Sequence, residues 1–351
     1  MKQRHVSELG ELVQPEASAY TAACKLDGFA PAQLQQLLRM MLLIRYVEEQ
    51  VAQWVEHGRA RCPCHLGIGQ EAIATGIACS LRPDDRLFGN HRSHGHYLAA
   101  GADVAGLLAE VLGRATGCSG GMGGSMHLFA AERGFYGSVP IVAGTIPIAV
   151  GAALAAKMDG GDSVAVAFFG DGASEEGVMH ESLNLASSYQ LPVVFVCENN
   201  QYSSHLDIAL RQPSDRVSRY ADAHCVRARI VDGNDVTAVA RVAGELIGAA
   251  RRHCEPVFLE AITYRWRGHV GPNEDLDVGV RRSMQTLAAW KQRDPVRRLQ
   301  EALVAGGVSS SAQLRAFEAE VRAQVEDAAA RALAAPWPPA QNLLGLVYAD
   351  R

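Results

Sequence analysis

Apolar runs alternate with helical periodicity along the chain. Ser163–Phe169 (SVAVAFF), Leu191–Cys197 (LPVVFVC) and Pro256–Thr263 (PVFLEAIT) are short, rich in Val and Phe, and lack polar alternation. Such runs predict strands covered on both faces, as in parallel sheets. Val226–Val231 predicts a further strand. Ala32–Glu56 repeats Leu34, Leu37, Leu38, Met41 and Leu42 at helical spacing. Helices are also predicted over Gln70–Ser80, Asp103–Leu112, Pro147–Met158, Val178–Tyr189, Val236–Arg252, Val280–Gln300 and Ser311–Leu333. Ala335-Pro336-Trp337-Pro338-Pro339 ends the last of them. Gly113–Gly124 is glycine-rich and predicts a loop. The alternation predicts an α/β fold with a doubly wound, mostly parallel sheet and helical N- and C-terminal extensions. The expected organisation is an N-terminal arm over 1–30, an α/β domain over 31–270 and a C-terminal helical extension over 271–351.

Two polar motifs follow two of these strands. Gly170-Asp171-Gly172-Ala173-Ser174-Glu175-Glu176-Gly177 comes after the first run, and Glu198-Asn199-Asn200-Gln201-Tyr202 after the second. With Val178–Tyr189 between them, both motifs fall at the carboxyl ends of strands in one strand–helix–strand unit. Open α/β sheets bind ligands there. Asp171 offers a carboxylate and Asn200 an amide carbonyl, hard oxygen donors suited to Mg²⁺ or Ca²⁺. The backbone carbonyl of Tyr202 is a natural third ligand. Gly170 and Gly172 are expected to let the backbone turn sharply and approach a bulky anion. The following helix would aim its N-terminus at the same spot. The implied ligand is a diphosphate chelated to a divalent ion. Asp-Gly alone is ordinary turn chemistry, so the pairing of the motifs carries the argument.

The 351 residues carry a net charge of −5, with 48% hydrophobic and 20% charged residues, which is a globular composition. No long basic block is present, so nucleic acid is not an expected partner. No apolar stretch reaches membrane-spanning length. The N-terminal MKQRHVSELGELVQPEAS lacks an apolar signal region, which makes a cytoplasmic location the expectation. Eight cysteines are scattered and expected to be reduced thiols. Cys62-Pro63-Cys64-His65 has neither CxxC spacing nor a second cysteine pair, so no soft-metal site is expected there.

The GDG and NN pair resembles the thiamine diphosphate fingerprint. From about Leu34 to about Arg298 the chain resembles the alpha subunit of the thiamine-dependent first component of 2-oxo acid dehydrogenase complexes. Members of that family act on pyruvate, branched-chain 2-oxo acids or acetoin. His65-Leu66-Gly67-Ile68-Gly69-Gln70-Glu71-Ala72, His91-Arg92-Ser93-His94-Gly95-His96, Gly121-Met122-Gly123-Gly124-Ser125-Met126-His127 and Tyr264-Arg265-Trp266-Arg267-Gly268-His269 extend the likeness. The resemblance implies thiamine diphosphate and Mg²⁺ as cofactors, with Asp171, Asn200 and Tyr202 on the metal. Cofactor contacts are expected from His91, Arg92, Val142, Gly170, Asp171, Gly172, Ala173, Asn200, Tyr202, Arg265 and His269. Arg92 suits phosphate because its guanidinium matches the oxygens in a fork. His269 is expected to be catalytic in proton or acyl transfer, and His94, with His96, to reach the substrate.

Two departures stand out. Pro140 stands where glycine is common in the family, and Ser203-Ser204-His205 follows Tyr202 where Gly or Ala is usual. The resemblance implies that the glutamate activating the aminopyrimidine comes from a pyrimidine domain, which two-subunit members carry on a beta chain. The resemblance therefore implies a beta subunit in a two-alpha two-beta heterotetramer. It also implies a lipoyl-bearing acyltransferase or acyl carrier as acceptor, and a small 2-oxo acid or acetoin as substrate. The alternatives are the diphosphate half of a split transketolase-like enzyme and a non-catalytic paralogue.

Overall fold

The computed structural model describes residues 23–342. Most of the expected arm, residues 1–22, lies outside the described residues. The strands are β1 (Arg86–Gly89), β2 (Phe135–Ser138), β3 (Ala165–Gly170), β4 (Val193–Asn199), β5 (Tyr202–Ser203), β6 (Leu206–Asp207), β7 (Arg227–Asp232), β8 (Val257–Ile262), β9 (Leu276–Asp277) and β10 (Val280–Arg281). Six of them form one sheet in the order β2-β1-β3-β4-β8-β7. Every pairing in it is parallel. β5–β6 and β9–β10 are two-residue antiparallel ribbons.

Strand periodicity sorts the core into two layers. Val166, Phe168, Val194, Val196 and Leu259 face helices Pro31–Glu56, Glu71–Ala78, Val104–Val111, Val236–His253 and Ser311–Ala334. Ala165, Ala167, Phe169, Val193, Phe195, Cys197 and Phe258 face helices Thr145–Met158 and Gly177–Tyr189. Both sides of β3, β4 and β8 are therefore covered, which explains their unbroken apolar sequences. Close packing on the first side depends on Gly76. A Cβ there would stand 2.6 Å from Val239 Cγ1 and 3.0 Å from the Ala240 nitrogen.

The strand order creates a topological switch point. From β1 the chain runs outward to β2. It then returns to β3, beside β1, and continues in the opposite direction to β4. A crevice opens between the carboxyl ends of β1 and β3, where doubly wound folds place ligands. β1 and β2 had no clear signal in the sequence, each being four residues long with a polar or glycine member.

The expected helix Val280–Gln300 is not continuous. Val280 and Arg281 belong to the β9–β10 ribbon, and two helices follow, Met284–Lys291 and Pro295–Ala305. The break is local chemistry: Asp294 accepts from the Val296 N–H as N-cap, and Pro295 takes the first helical position. Val296, Leu299, Leu314, Val321 and Val325 join the same core cluster as Leu34 and Leu38. The described helices after residue 270 thus pack into the body of the domain. Among the described residues no helix is long and apolar enough to cross a membrane.

Candidate active site

The crevice is a cavity of about 160 Å³. Asn90, His91 and Arg92 reach it from the end of β1. Gly170, Gly172 and Ala173 come from the end of β3, and Asn200 and Tyr202 from the end of β4. Val142 and His269 also line it. In the β3–β4 ladder Gly170 lies opposite Glu198, so the GDG and NN turns leave adjacent strand ends together.

Asp171 is fully buried. Its Oδ2 accepts from Arg211, whose other nitrogen pairs with Glu175. Its Oδ1 is buried and has no hydrogen-bond partner. Burial raises the Asp171 pKa, against the pull of Arg211. An orphaned buried carboxylate oxygen is costly unless a cation completes it. Asn200 Oδ1 accepts from the Tyr202 N–H at 3.2 Å, and its Nδ2 donates to Gln70 Oε1 at 3.2 Å. Gln70 therefore fixes which way the amide faces. The donor set is hard oxygen throughout and fits Mg²⁺.

The glycines act differently from the sequence expectation. Neither Gly170 nor Gly172 has a positive φ. Gly172 is required for space: a Cβ would lie 2.6 Å from Ser203 Oγ. The β5–β6 ribbon thus presses directly on the GDG turn. A short 3₁₀ turn, Asp171–Glu175, separates that turn from helix Gly177–Tyr189.

Arg92 is buried and donates to two backbone carbonyls, Leu66 at 2.6 Å and His269 at 3.4 Å. Burial, followed by the charge of Arg265, lowers its pKa to about 9. A guanidinium held this way is an anion seat.

His65, His91 and His269 converge, with one ring nitrogen from each within 4.8 Å of the others. Burial lowers His65 to about 3 and His269 to about 4, with Arg92 the next cause in both, and His91 falls well below its ordinary range. The rings are neutral at pH 7, and the positive field around them favours anions over a metal cation. His65 and Gln70 were visible in the sequence as part of a motif, yet only the fold shows Gln70 in the crevice lining and His65 packed against His91 and His269.

These histidines set a pH dependence. The unfolded chain protonates them near 6.5 and the folded chain only near 3–4. Between those values the unfolded state holds more protons, so stability drops as pH falls. The expected outcome is a steady decline in the denaturation midpoint of the cofactor-free protein from roughly pH 7 to pH 5. A flat profile in chemical denaturation would contradict the assignment.

Two expected site residues lie elsewhere. His94 is fully buried, with Nδ1 on Glu48 Oε1 at 2.9 Å and Nε2 on Ser125 Oγ at 2.8 Å. Both nitrogens are engaged inside the core, so it cannot meet a substrate. Arg265 is buried and paired with Asp277 at 2.6 Å, away from the cavity lining. Asp277 also accepts from the His269 N–H at 2.6 Å. Arg265 therefore steadies the His269 turn from outside the cavity lining. His96 is buried too, stacked 4.0 Å over Phe168 and 3.1 Å from Glu198. Glu48, Arg211 and Asp277 carry no motif signal, because each acts through a partner distant in sequence.

A sequence-family profile described as "Dehydrogenase E1 component" matches residues 38–341. The chain is 36% identical over 306 residues to the pyruvate dehydrogenase E1 component subunit alpha of Rhizobium meliloti, covering 87% of each chain. It is 37% identical over 313 residues to that of Zymomonas mobilis, covering 89% of this chain and 87% of the relative. It is 34% identical over 334 residues to that of Porphyra purpurea, covering 93% and 96%.

Proposed function

The chain belongs to the dehydrogenase E1 component family, as an alpha subunit, and from that premise we propose how its crevice serves a thiamine diphosphate-dependent 2-oxo acid dehydrogenase. Asp171, Asn200 and the Tyr202 carbonyl would hold Mg²⁺, and Arg92 would add a guanidinium contact to the diphosphate. The observation that carries this is the buried, unpartnered Oδ1 of Asp171 at the switch point. Val142, half exposed at the cavity, forms an apolar wall for the thiazolium ring.

When bound, thiamine diphosphate supplies the electron sink for decarboxylation, and the protein supplies orientation and electrostatics. His269 is held by its backbone bond to Asp277, so its ring stands at a fixed place on the cavity wall. A neutral imidazole there can accept a proton and return it. His65 and His91 pack against it, with ring centroids 4.9 and 5.3 Å away. They limit its movement and exclude water.

The site is incomplete in one chain. Its cavity is smaller than the ~300–1,000 Å³ of ordinary small-molecule pockets. Ile141, Val142 and Ile148 expose 71%, 49% and 54% of their surface around and beyond its mouth. Among the described residues Glu198 is the carboxylate in its lining, Asp171 being buried just outside that lining, and Glu198 is tied to His96. A beta subunit that covers the apolar rim and brings the activating glutamate satisfies all three observations. The complete assembly is read as two alpha and two beta chains, with active sites at their interfaces. The acyl unit then passes to a lipoyl-bearing carrier, and the substrate is a small 2-oxo acid or acetoin.

Reconstitution tests this reading. The chain is purified with and without its beta partner and given thiamine diphosphate, Mg²⁺ and an artificial electron acceptor. Pyruvate, branched-chain 2-oxo acids and acetoin are compared as substrates. The pair should oxidise one of them, while the chain alone should be nearly inactive. No turnover of any substrate by a pair that binds the coenzyme would overturn it.

A further inference from the structure

Cys62-Pro63-Cys64 stands outside the cavity lining and takes no part in the function described above. Cys62 Sγ and Cys64 Sγ lie 3.8 Å apart. Cys64 is fully buried and Cys62 is half-buried, the less enclosed of the two. The hydrogen bond from Cys64 holds Cys62 down to about 6, assisted by the Ser125 backbone and His94, while burial opposes it. The same bond raises Cys64. The lowered thiol, Cys62, is the more nucleophilic of the two.

The pair is wired to the active site. The Cys64 carbonyl accepts from the Gly271 N–H at 2.9 Å, two residues beyond His269. The next residue, His65, packs its ring 4.7 Å from His91 and 4.9 Å from His269. On the other side, Cys62 lies against Gly124, where an added Cβ would stand 3.1 Å from the Cys62 Cβ. A covalent bond between the sulfurs requires about 2.05 Å, much less than their present separation. Closing the gap must move the two side chains, and with a single residue between them any backbone adjustment falls on residues 62–64. Such an adjustment carries the Cys64 carbonyl and the His65 ring with it.

We propose that Cys62 and Cys64 form a redox-active dithiol, which peroxides oxidise to an intramolecular disulfide that displaces His65 and the His269 turn and switches the site off. The Cys62 thiolate attacks one peroxide oxygen and breaks the O–O bond. The leaving hydroxide takes a proton to become water, and Cys62 becomes a sulfenic acid. Cys64 sulfur then attacks the Cys62 sulfur. Its proton and the departing hydroxide leave as a second water. Two thiols lose two electrons, and one peroxide gains them. A dithiol reductant reverses the change by thiol–disulfide exchange.

The test uses the assembled alpha–beta complex with thiamine diphosphate and Mg²⁺, treated with hydrogen peroxide. Mass spectrometry of the peptide carrying residues 62–64 should show the loss of two hydrogens. Activity should fall at the same rate by at least ~10-fold, since displacements of about 1 Å at a catalytic site cost on the order of 10²-fold. Dithiothreitol should restore both. Cys62→Ser and Cys62→Ala should match the untreated complex in turnover and resist peroxide, while Cys79→Ser stays sensitive. Absence of the disulfide, a disulfide without loss of turnover, or equal inactivation of both Cys62 variants would overturn the proposal. The mass readout is independent of turnover, so its failure is distinguishable from failure of the functional reading.

Discussion

Asp171→Asn should weaken magnesium-dependent uptake of thiamine diphosphate by at least ~100-fold in the alpha–beta complex, since even outer-shell changes at metal sites cost 10–100-fold. The substitution keeps the side chain's shape and removes the negative charge that the metal needs. Its effect on the unliganded fold should be small, within about 1 kcal/mol, comparable to one ordinary hydrogen bond. Two changes offset each other there. Arg211 loses one of its two carboxylate partners but keeps Glu175. A carboxylate whose pKa is raised by burial no longer has to be kept ionised. Thermal unfolding separates the two effects. At a coenzyme concentration 100 times the dissociation constant, binding stabilises the native state by about 2.7 kcal/mol. That increment should fall to about 0.4 kcal/mol or less in the variant, while the melting temperature without coenzyme barely moves. An undiminished increment would remove Asp171 from the metal and dismantle the proposed grip on the diphosphate.

His269→Ala should lower acyl transfer to the lipoyl carrier by roughly 10²–10⁴-fold, the usual range for losing a positioned proton-transfer group. Coenzyme affinity should change much less. The turn that carries this residue is anchored through its backbone N–H on Asp277, and Asp277 is fixed by Arg265. Truncating the ring leaves both bonds in place, so the loss belongs to the imidazole and not to a collapsed loop. Single-turnover transfer to a lipoyl domain, measured beside calorimetric coenzyme binding, distinguishes these effects. Full transfer by the variant would exclude His269 from the chemistry.

The central strands and the pairing of the two turns were legible because burial on both faces writes itself as unbroken apolar sequence. Ala165–Gly170, Val193–Asn199 and Val257–Ile262 needed no tertiary information. Arg86–Gly89 and Phe135–Ser138 did, because an arginine and a glycine interrupt four-residue strands that only their neighbours stabilise. Without β1, the switch point could not be seen. Asp294-Pro295 was a readable stop signal inside the expected helix 280–300, and helical spacing around it hid the signal. His94 resembled a substrate-facing residue because its motif neighbours His91 and Arg92 do reach the cavity. The fold turns it into the core, where Glu48, on the buried face of helix Pro31–Glu56, accepts from it and from the Gly67 N–H at 2.7 Å. Arg265 was misplaced for a related reason. Its partner Asp277 sits on a ribbon whose two-residue strands leave no periodic trace.

The odd and even residues of β3 belong to different hydrophobic layers, and this parity restricts how the sequence can drift. Inserting or deleting one residue within Ala165–Gly170 would exchange the layers, driving Phe168 into space shaped for alanine. It would also change which side chain emerges opposite Glu198. Length variation among descendants of this chain should therefore collect in the connections away from the crevice, while the count of residues from Ala165 to Asp171 stays fixed.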